Sequence, residues 1–353
     1  MTSVSPAEHP SRIRIRPKRP AHDSPMKKTT AIYIALATIL LIALGIFYWV
    51  MLSNHSARVV KMEEDPEEEP VIVQESFDAV EEKAAPIANV AVPAGTNMVK
   101  NGDAEAGNTS GWKGFASTVP KPHEGAYAFI LDRKKIAYTT ELIPLDPEAR
   151  YELSGFFTSE GGPTKVYLGF DCFDANKKRI TSPQVTPIPG SETELVQDAK
   201  KGDKVLKIKD GSAWKFEKLA PLLGVVAFDV DPSGNYGDLP NRKISKRGIT
   251  QIRKADGHWE VTLRQPMPMD YPAGTKVRQH REELTMRWAA DKPLKENWIS
   301  IKGTVSGISF GGQKVGMFWP GTRYIRVAIL NETNAKPPAP KLLVDNVVLR
   351  VTK

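Results

Sequence analysis

Residues Asn97–Trp112 read NMVKNGDAEAGNTSGW, a polar run rich in Gly and Asn. It lies where a long acidic stretch ends and an alternating apolar pattern begins. Gly, Asn and Asp favour turns, because Gly accepts left-handed backbone and the short amides and acids bond their own main chain. The run therefore reads as a structured loop that opens a folded region. Working outward, AYAFIL (126–131), KIAYTTEL (135–142), ARYELSGFFTS (149–159) and KVYLGFDCFD (165–174) are short alternating segments separated by turn residues. NWISIKGTV (297–305), TRYIRVAILN (322–331) and KLLVDNVVLRV (341–351) continue the pattern at the far end. Regular short strands of this kind predict an all-β, antiparallel sandwich or barrel.

Between the two groups, residues 196–281 have closer turns, such as KKGD, DPSGN and YPAGT. Strands are expected at Lys204–Ile208, Gly224–Val230, Ile249–Lys254, Trp259–Leu263 and Thr275–Gln279. Five short strands flanked by sandwich strands predict a small β-barrel-like module inserted in a loop, which is tolerated where the joined ends lie close together.

The net charge of +8 conceals blocks of opposite sign. Residues 1–30 carry Arg12, Arg14, Arg16, Lys18, Arg19, Lys27 and Lys28 against Glu8 and Asp23, a net +5. Residues 53–95 carry ten acids against Arg58, Lys61 and Lys83, a net −7. Like charge and Pro oppose compaction, so 53–95 reads as a disordered stalk. Between them, AIYIALATILLIALGIFYWVML (31–52) is uncharged. A helix of that length covers roughly 33 Å, enough for a hydrocarbon core of about 30 Å. It reads as one transmembrane signal anchor, with the bilayer as a partner. The basic residues before it hold the N-terminus in the cytoplasm, which places the later residues in a periplasm or beyond a cell surface.

The motifs at the two ends carry a family resemblance. NMVKNGDAEAG with GW, then YELSGFFTS and YLGFDCFDANKKRI, and finally KLLVDNVVLRV, resemble the jelly-roll carbohydrate-binding modules of the CenC type, which bind cellulose and xylan. The resemblance spans 96–195 and 282–353, with Ala104 standing where the family usually has Phe. It implies a jelly-roll β-sandwich in which the first and last strands meet, often around a structural calcium. Matched residue by residue, the acids of the two signatures are Glu105 and Asp345, with Asp103 beside them. A hard cation takes six to eight oxygens, and turns of Gly, Asn and Asp let carbonyls converge. The same acids would equally serve as turn and strand-end residues that bond local amides.

The family's glycan groove lies on a sheet face where aromatic rings stack on sugars. Alternation sets Glu152, Ser154 and Phe156 opposite Tyr151, Leu153 and Phe157. It sets Tyr324 and Arg326 opposite Ile325, Val327 and Ile329, and Tyr167, Asp171 and Phe173 opposite Cys172. The candidate groove residues are therefore Phe156, Tyr167, Tyr324 and Arg326, with Trp288 and Trp319. Side chains of this kind pack as core or sheet edge as readily as they line a groove.

Cys172, the single cysteine, falls on an apolar face and reads as a buried, inert thiol. Beyond the stalk the histidines are His123, His258 and His280, with no G-x-S-x-G or H-E-x-x-H motif. The expectation is a non-catalytic, membrane-tethered polysaccharide-binding protein. The alternative is an envelope scaffold or adhesion protein that uses the same fold for protein contact. Residues 196–281 hold seventeen Lys and Arg against ten acids. Outside a cell that excess is either a solvated basic surface or a site for acidic polysaccharide or membrane, rather than for nucleic acid.

Overall fold

The structure is a computed structural model that describes residues 95–216, 224–246, 248–310, 315–333 and 339–352. The expected basic tail, membrane span and stalk up to residue 94 lie outside the described residues. Among the described residues, no helix is long and apolar enough to cross a membrane.

Numbered along the chain, one sheet runs β1 (Trp112–Lys113), β4 (Ile136–Thr139), β16 (Tyr324–Glu332), β7 (Thr164–Phe173), β14 (Arg287–Leu294). A short β5 (Ile143–Pro144) also pairs with β16. The second sheet runs β15 (Ile299–Val305), β6 (Arg150–Glu160), β17 (Lys341–Thr352), β3 (Ala128–Leu131), β2 (Ser117–Val119). Every pairing in both sheets is antiparallel.

Alternation decides what each strand buries. In β6, Tyr151, Leu153 and Phe157 turn inward while Glu152, Ser154 and Phe156 stay half-exposed. Leu168, Phe170 and Cys172 of β7, Val327 and Ile329 of β16, and Val344 and Leu349 of β17 join the same core. Two antiparallel sheets over one shared core make a β-sandwich. Tyr151 also anchors the turn before its strand: its hydroxyl donates to Asp146 O at 3.1 Å and accepts from Asp146 N at 2.8 Å. Cys172 is fully buried, and burial pushes its thiol up to about 11, so it is a packing residue.

The opening run meets the last strand. The Asn97 carboxamide donates to Val347 O at 3.2 Å and accepts from Val99 N at 3.0 Å and Leu349 N at 3.1 Å. Met98 N donates to Leu349 O at 2.8 Å, and Val347 N to Gly102 O at 2.7 Å. A Cβ on Gly102 would stand 2.0 Å from Val347 O, so only Gly permits this approach. Ala104 is fully buried with a φ of 63°, packed into the sandwich core as part of the turn itself. Val347, which accepts from Asn97, lies in a bulge of β17 between Asp345 and Val348, where Asn346 takes a φ of 48°.

The central segment forms two three-stranded sheets. One is β10 (Gly224–Phe228), β13 (Lys276–Arg281), β8 (Thr193–Glu194); the other is β11 (Ile249–Ala255), β12 (His258–Leu263), β9 (Val205–Ile208). Among the described residues a bridge between Leu195 and Ile208 links them. They enclose a second core that includes Leu206, Ile208, Val226, Phe228, Val261 and Val277.

A buried polar cluster lies where this segment meets the sandwich strands. Arg278 and His280 of β13 are fully buried. Arg278 pairs with Asp238 at 2.8 Å and donates from Nε to His280 Nε2 at 2.9 Å. His280 Nδ1 lies 2.8 Å from the carbonyl of Pro183, in the short helix α1 (Ser182–Val185). A carbonyl only accepts and a guanidinium only donates, so the imidazole is the neutral tautomer with its proton on Nδ1. Arg242 reaches back to Asp174 at 2.5 Å and to the carbonyls of Lys178 and Arg179 at 3.3 and 3.4 Å.

Candidate functional site

The outward face of the first sheet gathers aromatic and charged side chains. In β16, Tyr324 and Arg326 stand outward because Ile325 and Val327 fill the core. The antiparallel register sets Tyr324 beside Phe173 and Arg326 beside Asp171 of β7. Paired residues of this kind bring their Cβ atoms within about 5 Å, so the side chains meet directly.

Asp171 is the hinge of this face. It is 4% exposed, with one oxygen accepting from Arg326 at 2.7 Å and the other from Arg179 at 2.8 Å. The Arg326 guanidinium lies over the Tyr138 ring at 3.8 Å and near Phe173 at 5.5 Å. Lys177, from the turn after β7, holds its ammonium 5.6 Å above Tyr324. Stacked cations on aromatic faces keep both partners in place while leaving other ring surface free.

Further along the sheet, Trp288 of β14 meets Tyr167 edge to face, with centroids 5.6 Å apart. Gly169 lies between the two clusters. A Cβ there would come 2.0 Å from Arg287 O and 2.7 Å from Trp288 Cα, so the β14 backbone, bulged between Trp288 and Ala290, presses on a position without a side chain. Lys165 sits 4.4 Å above the Tyr167 ring and pairs with Asp291 at 2.6 Å. Burial alone would lower the Lys165 pKa, but its bonds to Asp291 and Tyr167 together raise it. Burial is the main reason that the Tyr167 hydroxyl titrates above its ordinary value.

Of the six expected groove residues, Tyr167, Tyr324, Arg326 and Trp288 thus share one face. The other two do not belong to it. Trp319 is fully buried in the core, donates from Nε1 to Thr285 O at 3.2 Å and is capped by the Arg287 guanidinium at 4.1 Å. Phe156 belongs to the other sheet, stacked on His123 with centroids 3.7 Å apart, and Trp298 meets that His123 ring edge-on at 5.8 Å. Alternation was correct that Phe156 points away from the core, but it carries no information about which sheet a strand joins. Sequence reasoning missed Tyr138, Arg179 and Lys177. Tyr138 was legible, since it opposes Ala137 in KIAYTTEL; the two cations come from a turn that periodicity does not describe.

The three acids of the terminal signatures sit at the seam, each bonded to amides. Asp345 is fully buried, and its carboxylate accepts from His123 N at 2.9 Å, Glu124 N at 3.1 Å and Asn346 N at 2.7 Å. Burial, the largest effect, raises its pKa against these bonds. Glu105 accepts from Ala126 N at 2.9 Å and Tyr127 N at 3.1 Å. Asp103 accepts from Glu105 N at 3.3 Å. Calcium needs carboxylate oxygens turned together toward one point, whereas here the buried Asp345 and the exposed Glu105 each turn their carboxylate toward N–H donors. Among the described residues no three His, Cys, Asp or Glu side chains come together to hold a metal ion. The residues present do not fit a calcium site built from Asp103, Glu105 and Asp345.

Beside the seam is a cavity of about 270 Å³, lined in part by Met98, Leu142, Ile143 and Pro144. Lys100 and Glu141, also in its wall, pair at 2.7 Å and are largely exposed.

No protein-family profile matches the chain, and no curated protein matches it. Among solved structures it is similar to the CBM22-1 xylan-binding domain of Paenibacillus barcinonensis Xyn10C, at 10% identity over 74% of this chain and 99% of that one, with a TM-score of 0.33. It is similar to TmCBM61, solved in complex with β-1,4-galactotriose, at 10% identity over 73% and 99%, with a TM-score of 0.27. A third is the enzymatically active domain of bacteriophage CBA120 tailspike protein 4, at 11% identity over 72% of this chain and 21% of that one, with a TM-score of 0.27.

Proposed function

We propose that this chain is a non-catalytic glycan-binding protein, and that the outward face of β4, β16, β7 and β14 receives the sugar. The observation that carries the reading is the row of half-exposed rings, Tyr138, Tyr324, Tyr167 and Trp288, interleaved with the Arg326–Asp171 pair on one sheet. Flat rings offer stacking surface to a pyranose, and fixed charged groups between them bond its hydroxyls. Each side chain is held by its neighbours before a ligand arrives, which reduces the ordering cost of binding. The motif resemblance to CenC-type modules supports the same reading.

In this proposal residues 31–52 anchor the chain in a membrane, residues 53–95 form a stalk, and the β domains stand in a periplasm or outside the cell. The glycan is bound without being cleaved.

A glycan array probed with the full chain in lipid nanodiscs tests the reading. Wild type should bind at least one glycan class, and Trp288→Ala or Tyr324→Ala should weaken that binding by about ten-fold or more, as expected for a central aromatic contact. Absence of binding to every glycan removes the proposal and leaves the envelope scaffold or adhesion role, with the same face docking a protein.

A further inference from the structure

We infer that the glycan taken by this face is anionic, carrying carboxylates on its sugar units. The inference rests on the glycan-binding reading above and adds the charge class of the ligand.

Around Tyr324 the cations outnumber the acids. Among the described residues the acids paired with Arg326, Arg179 and Arg242 are Asp171 and Asp174 alone, and Lys177 lies beside them over Tyr324. Both acids are already engaged. Asp171 serves two guanidiniums at once, and Asp174 is taken by Arg242 at 2.5 Å. Lys177 makes no ion pair among the described residues, and its ammonium lies above the ring of Tyr324. At the other end of the face Lys165 is matched by Asp291, and Glu332 stands near the Tyr167 hydroxyl. The positive surplus is therefore local to the Tyr324 end.

The geometry of that surplus selects an anion. Asp171 lies below the surface with a side chain 6% exposed, while Arg179 above it is 45% exposed. Two guanidiniums bound to one carboxylate retain a net positive charge, and the solvent side of Arg179 keeps N–H donors pointing outward. A planar guanidinium matches a carboxylate with two parallel hydrogen bonds, a fit that a neutral hydroxyl cannot make. A uronic acid stacked on Tyr324 would put its ring on the aromatic face and its carboxylate beside Arg179 and Lys177. Neutral sugars would gain the stacking and hydroxyl hydrogen bonds but not the charge-assisted pair.

The test pairs each of several uronans (a galacturonan, an alginate and a glucuronan) with its own carboxyl-reduced, neutral form. Affinity for the full chain in uncharged-lipid nanodiscs is measured at about 50 mM and about 300 mM salt, which bracket strong and weak screening. At least one uronan should bind about ten-fold or more tightly than its reduced form, and that advantage should shrink at the higher salt. Arg179→Gln and Lys177→Gln, both on the surface, should each cut the advantage several-fold. Equal binding of charged and neutral forms in every pair overturns the charge assignment but leaves the glycan reading standing. An advantage unchanged in both variants overturns it by placing the anion elsewhere. Binding to no glycan removes the glycan reading itself and this inference with it.

Discussion

Asn97 and Val347, 250 positions apart, are joined by a hydrogen bond of 3.2 Å from the Asn97 carboxamide to the Val347 carbonyl. The same carboxamide receives the amides of Val99 and Leu349, so one side chain satisfies three backbone groups at the junction of the opening run and the last strand. Asn97→Ala leaves these groups without their partner, and stability should fall by about 2 kcal/mol or more. Denaturant unfolding measures this; a loss below about 0.5 kcal/mol would mean that water replaces the carboxamide freely.

His280 predicts an acid-sensitive fold. Burial first, and then the neighbouring charge of Arg278, depress its pKa to about 4. The unfolded chain binds a proton near pH 6.5 that the folded chain refuses until about 4, so stability should fall as pH drops through that window. The full effect is on the order of 3 kcal/mol. His280→Gln should flatten this part of the pH profile of the melting temperature, and an unchanged slope would contradict the assignment.

Trp319 and Tyr324 should separate stability from binding. Trp319→Ala empties a fully buried site and should cost about 3–5 kcal/mol. Tyr324→Ala removes a half-exposed ring and should leave the melting temperature nearly unchanged while weakening glycan binding. If Tyr324→Ala melts as early as Trp319→Ala, the ring is structural and the proposed face loses a central contact.

Asp345 bears on calcium and on pH. Because amides already bond its oxygens, chelator should not shift the melting temperature, and a drop of several degrees would reinstate a cation at the seam. Its raised pKa acts opposite to that of His280. The carboxylate costs stability once ionised, so the contribution is most favourable below the ordinary carboxyl range and is lost as pH rises through the raised value. Wild type compared with Asp345→Asn should therefore gain stability on acidification, read from paired melts.

Much of this architecture is legible wherever alternation is clean. The predicted segments at 149–159, 165–174 and 341–351 correspond to β6, β7 and β17, and Gly224 and Ile249 begin β10 and β11 as expected. β14, RWAADKPL, escaped because its bulge at Trp288 breaks the two-residue period and because Pro, Asp and Lys read as turn residues. The candidate site was legible along each strand and obscure between strands. Tyr167, Tyr324, Arg326 and Trp288 converge through register, while Phe156 and Trp319 were indistinguishable from them by residue type. Register is set by contacts between distant segments, which a local pattern does not contain.

The seam also has a mechanical meaning. Chain entering at Gly95 runs at once into contacts with the last strand, Gly95 N to Val351 O at 3.4 Å and Met98 N to Leu349 O at 2.8 Å. Tension arriving from a tether before residue 95, and resisted by a polymer held on β16 and β7, would load these bonds before it reached any strand of the binding face. The clasp of Asn97 on Val347 would then act as a stop that keeps the opening run from peeling off the last strand. Single-molecule pulling through the N-terminus should show a lower rupture force for Asn97→Ala than for wild type. Under the proposed anchoring and glycan binding, the polar run that opens the domain would relieve strain between the stalk and the loaded surface.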